Sequence, residues 1–96
     1  MGSWLTERRL SQNAARLKKL RAELAELDEQ VTVFADDAAD SELRALMSET
    51  PGAAHEANDA RKHAEAIGRH RQHVRDEIAE LEARQDALLD KLTGAH

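Results

Sequence analysis

Large apolar residues return every seven positions along the first third of the chain: Leu10, Leu17, Leu24 and Val31, with Leu20, Leu27 and Phe34 each falling three residues after one of them. Apolar positions alternately three and four apart lie along one stripe of an α-helix. A strict seven-residue repeat is the pattern of helices that pair through that stripe. The C-terminal third repeats it, with Ile67, Val74, Leu81 and Leu88, and with Ile78 and Leu92 four residues after Val74 and Leu88. In heptad lettering Leu10 and Ile78 are a positions, and Leu20 and Val74 are d positions.

Two such stripes on one chain satisfy each other as an antiparallel hairpin in which a faces d. Leu10 then faces Leu88, Leu17 faces Leu81, Leu20 faces Ile78, Leu24 faces Val74, Val31 faces Ile67 and Phe34 faces Ala64. The centre of this matching is residue 49, inside the stretch Ser48–Gly52, "SETPG", which holds the only proline. Pro51 holds Thr50 extended and suits the first turn of a following helix. Thr93-Gly94 reads as the stop of that helix. Turn chemistry and register therefore agree without being fitted to each other. The reading is an all-α antiparallel coiled-coil hairpin, one domain over residues 1–96, with its last helix over about 53–92.

Two layers of the seam are polar. Asn13 faces Gln85, and a paired polar layer costs stability but sets register, since a slip would bury an amide against leucine. Leu27 faces Arg71, whose aliphatic stem is expected to cover the leucine while its guanidinium reaches Asp28 or Glu29. Charge supports the same alignment. Residues 1–22 hold six basic residues and one acid, against six acids and two basic residues in 76–96. Residues 23–38 hold six acids and no base, against five basic residues and one acid in 60–75. Each exposed pair contributes only about 0–1 kcal/mol, but the pattern penalises parallel pairing.

The middle of the chain interrupts this regularity. A straight first helix would place Ala38, Ser41 and Ala45 in the seam and turn Leu43, Leu46 and Met47 away from it. Asp36, Asp37, Asp40 and Ser41 are all good helix N-caps. Their density favours a break: a first helix over about 4–35, then a short helix over about 41–48 that folds its leucines back. The competing reading is a continuous helix that presents Leu43, Leu46 and Met47 as a docking patch, with Asp37 and Asp40 beside it.

Thirteen large apolar side chains line the seam, and a seam of two helices leaves each partly wet. Trp4, Leu5 and Leu89 widen the stripe beside it. A homodimer follows as the expectation, most simply an antiparallel four-helix bundle, or a domain-swapped dimer with the same register.

Composition narrows the chemistry. No cysteine is present, so neither disulfides nor cysteine-based zinc sites are expected. No apolar run approaches the ~20 residues of a membrane span, and no signal-peptide core is seen, so the expectation is a cytoplasmic protein without membrane contact. The opening "MGSWLT" fits the N-terminal acylation pattern, which a cloning scar also produces. A net charge of −5 argues against nucleic acid as a default partner. No phosphate loop, dinucleotide fingerprint, nucleophile elbow or H-E-x-x-H is present, so no catalytic residue and no cofactor is assigned. His63, His70 and His73 approach ligand spacing, with Glu26 or Asp28 as possible completing ligands. Arg69, Arg71 and Arg75 flank them and repel a dication, so no metal site is assigned.

The hexad "DAADSE", Asp37 to Glu42, resembles the D-x-x-D-x-A tip of the coiled-coil factors that enter the secondary channel of bacterial RNA polymerase. The resemblance implies a transcription regulator in which Asp37 and Asp40 act near the catalytic magnesium; here Glu42 stands where the family has alanine. In size and hairpin shape the chain is also similar to the ESX-secreted family, although its turn is "SETPG" and its tryptophan is Trp4. The richness in Ala, Arg and Asp looks like a high-GC bacterial proteome. The favoured functional reading is a non-enzymatic interaction or oligomerisation module that pairs with itself and with a protein partner.

Overall fold

A computed structural model describes residues 3–94; Met1 and Gly2, with which the acylation pattern begins, lie outside the described residues. The protein is all-helical and folds as a two-helix hairpin: α1 spans Ser3–Ser48 and α2 spans Pro51–Thr93.

The expected break in the first helix is corrected. α1 runs through residues 36–41 without interruption, and no separate helix forms over 41–48. The reason lies in the layers that face each other there. Ala38 and Ala45 are half-buried and Ser41 is buried, and on α2 the facing register positions Ala60, Ala57 and Ala53 are half-buried too. Small residues on both helices let the seam continue to the turn. Ending α1 early would have left up to four carbonyls and four amides to be satisfied elsewhere. The potential caps at Asp36, Asp37 and Asp40 instead face solvent.

The turn consists of Glu49 and Thr50 alone. Glu49 has a left-handed backbone, φ 52°, and its N–H donates to the Ala45 carbonyl at 3.1 Å. That is the αL stop, occupied here by a residue with a side chain rather than by glycine. Thr50 caps α2: its Oγ1 accepts from the Ala53 N–H at 3.2 Å, and its carbonyl accepts from the Ala54 N–H at 3.1 Å. Pro51 opens α2, where its missing N–H costs nothing. Gly94, with φ 72°, follows the last helical residue.

The chain packs as two compact units. Residues 1–24 and 74–96 form unit 1. Leu17, Leu20, Val74 and Ile78 are its buried apolar side chains, and Thr6 and Asn13 are buried with them. Residues 25–73 form unit 2, which contains the turn. Leu27 and Ser41 are buried there, while Val31, Phe34 and Ile67 are half-buried. Phe34 meets His63 edge-on, with ring centres 6.5 Å apart and planes at 84°. In each unit the buried residues fall at a and d places of the heptad, and most half-buried ones do too; Glu23, Asn58, Asp59, Gly68 and Glu77 are half-buried at other places.

Candidate interaction surfaces

In unit 1 the polar layer takes an asymmetric form. Asn13 Nδ2 donates to the Leu81 backbone carbonyl at 2.9 Å, so the amide bonds across the seam to main chain rather than to Gln85. Gln85 Oε1 is enclosed and has no donor. An unpaired enclosed acceptor costs about 1–3 kcal/mol, so this layer holds register at a real cost. Along the flanks, Arg16 places Nε and Nη2 on Glu77 Oε2 at 3.0 and 2.8 Å, and Arg21 Nη2 reaches Glu82 Oε2 at 3.2 Å.

Beside the Arg16 bridge lies an open groove of about 560 Å³ lined by Arg9, Gln12, Asn13, Arg16, Leu81, Arg84 and Leu88. Arg9 and Arg84 have no ion-pair partner among the described residues. Such a surface attracts carboxylates and other oxyanions, because the guanidinium presents a planar fork of donors. Sequence reasoning took Arg9 only as one of the six basic residues of 1–22, set against an acidic segment, and did not single out Arg84. The signal was there: counted in heptads from Arg16 and Glu77, the two arginines occupy the next facing positions.

In unit 2, Arg71 sits at an a position, half-buried, and its Nε bonds to Asp28 Oδ1. Leu43, Leu46 and Met47 are 57%, 72% and 78% exposed. They occupy heptad positions f, b and c of α1, on the side opposite the seam. Arg44, between them, donates from Nη2 to the Ser41 hydroxyl at 3.1 Å. A shallow groove of about 380 Å³ runs past Met47, Arg44, Ala53 and Glu56 at the turn. Asp37 and Asp40 are exposed on the same continuous helix, well before the turn. On the other flank Glu42 and Arg61 line a common groove among alanines.

Among the described residues, no group of three or more histidines, aspartates and glutamates gathers as a metal site, and no helix is long and apolar enough to cross a membrane. Trp4, Leu5 and Leu89 in unit 1 are 62%, 39% and 42% exposed. Compared with protein-family models, curated proteins and solved structures, the chain matches none.

Proposed function

We propose that this chain is a non-enzymatic interaction module of a bacterial cytoplasm: a helical hairpin that pairs with a second copy and presents the outer side of α1 to another protein. The observation that carries the reading is the thinness of the seam. Leu17, Leu20, Leu27, Val74 and Ile78 are its buried apolar side chains, whereas Leu10, Leu24, Val31, Leu81 and Leu88 remain half-wet. Each of those would gain on the order of 1 kcal/mol from a further apolar neighbour, a gain that a second hairpin supplies. The patch of Leu43, Leu46 and Met47 is large, apolar and bordered by charged residues, Arg44 and Glu56 among them, which suits a docking surface for a partner helix.

The test is sedimentation equilibrium over a concentration series, on the wild type and on a Leu43→Glu, Leu46→Glu double variant. The expected result is a dimer in both, leaving the patch free for the partner. Conversion of the variant to monomer would make the patch the self-contact and remove the partner-docking role. A monomeric wild type at tens of micromolar would refute self-pairing.

A further inference from the structure

The groove in unit 1 is more basic than the carboxylates around it neutralise. Three guanidiniums line it, those of Arg9 and Arg16 from α1 and that of Arg84 from α2. Arg16 is compensated: its Nε and Nη2 both bond Glu77 Oε2, at 3.0 and 2.8 Å. Arg9 and Arg84 are exposed and have no hydrogen-bond or ion-pair partner among the described residues. The acids nearest in sequence do not serve them. Glu80, one helical turn before Arg84, makes no pair with it. Glu7 stands two residues before Arg9, a spacing at which helix side chains do not face each other. The walls of the groove are tied together. Asn13 is buried, and its Nδ2 donates across the seam to the Leu81 carbonyl at 2.9 Å. The Arg16–Glu77 bridge joins the same two helices a second time. Leu81 and Leu88, both half-buried, add apolar surface to the lining. The volume, about 560 Å³, falls inside the roughly 300–1,000 Å³ of small-molecule clefts.

Charge and shape together select the ligand. Two unpaired guanidiniums are neutralised by a dianion. A carboxylate presents a single edge of two oxygens, which fits one planar fork. A tetrahedral phosphate presents oxygens on several edges and can take a fork from each of two helices. A phosphodiester, as in a nucleic-acid backbone, carries one charge per phosphate and matches less well. We propose that this groove binds a phosphate monoester: Arg9 from α1 and Arg84 from α2 donate to its phosphate, and Leu81 and Leu88 hold the apolar part of the molecule. The site needs one hairpin only. It goes beyond the interaction role proposed above and does not depend on self-pairing.

The test is an NMR titration of the ¹⁵N-labelled full chain at low, constant ionic strength, with phenyl phosphate, inorganic phosphate and benzoate as probes. One variant, Arg9→Gln with Arg84→Gln, takes two charges out of the groove. Another, Arg8→Gln with Lys18→Gln, takes the same charge from α1 at residues that do not line it. Circular dichroism checks that both keep their helix content, as exposed positions should. Phenyl phosphate is expected to saturate the wild type and to shift the Nε–H signals of Arg9 and Arg84. Its affinity should fall about tenfold or more in the groove variant and stay within about twofold in the other. An Arg9→Lys, Arg84→Lys variant keeps the charge but loses the forks, and should weaken binding about threefold or more. Benzoate should bind at least about tenfold more weakly than phenyl phosphate, because it carries one charge and one edge. Inorganic phosphate should bind more weakly than phenyl phosphate; equal binding would keep the phosphate site and overturn the ester assignment. Absence of saturation, equal losses in the two glutamine variants, or benzoate binding as tightly as phenyl phosphate would each overturn the proposal, the second by reducing it to general surface charge.

Discussion

At the scale of single residues, the seam is held by a few polar exceptions to an apolar rule. Arg71 occupies a place that the repeat reserves for an apolar side chain, and its guanidinium escapes sideways to Asp28. Its side chain is 35% exposed and that of Asp28 is 50% exposed, so the pair is solvent-screened and contributes at most about 1 kcal/mol. Arg71→Leu would place an apolar side chain in the layer of the buried Leu27. Its expected effect is a gain of about 1 kcal/mol in urea unfolding, since added apolar burial exceeds the lost pair. A loss of stability would show that the pair is worth more than its exposure allows. Asn13 and Gln85 make the same point in the opposite direction, because there a buried oxygen is left without a donor.

At the scale of the elements, two helices of 46 and 43 residues meet through a two-residue turn, and each has local weaknesses that can be repaired. Glu49 adopts a left-handed conformation that a side chain makes costly by roughly 1 kcal/mol. Gly68 lies inside α2, and a Cβ built there meets nothing within 4 Å, so it serves no close approach of the helices. Glu49→Gly and Gly68→Ala should therefore each raise stability by about 0.5–1 kcal/mol, and the two should add. Thermal unfolding of the single and double variants checks this. A destabilising Gly68→Ala would mean that the site is covered in the assembled protein.

At the scale of the whole molecule, a hairpin whose apolar side chains are mostly half-wet is only marginally stable alone. The self-pairing proposed above would couple folding to concentration. The unfolding temperature should rise with protein concentration over the range in which dimers form. It should fall on adding salt, because the Arg16–Glu77, Arg21–Glu82 and Arg71–Asp28 pairs are screened. A concentration-independent, salt-insensitive melting temperature would mean that the isolated hairpin is self-sufficient.

The repeat of leucines, the place of the turn and the antiparallel register of residues 10–34 against 64–88 were all legible before any coordinates. They follow from periodicity and from the turn chemistry of proline and threonine, which act locally. The continuity of α1 was not legible in the same way. Four potential caps at Asp36, Asp37, Asp40 and Ser41 argue locally for a break, and only the facing alanines of α2 outweigh them. The fate of Leu43, Leu46 and Met47 depended on that outcome. So did the partnering of side chains on the flanks: Arg16 finds Glu77 while Arg9 finds Arg84 across its groove. Local sequence determined which residues are helical and which stripe turns inward, because those depend on near neighbours along one helix. Where the helix ends and which charges stay uncompensated were decided by the tertiary structure, because both depend on what the other helix places opposite.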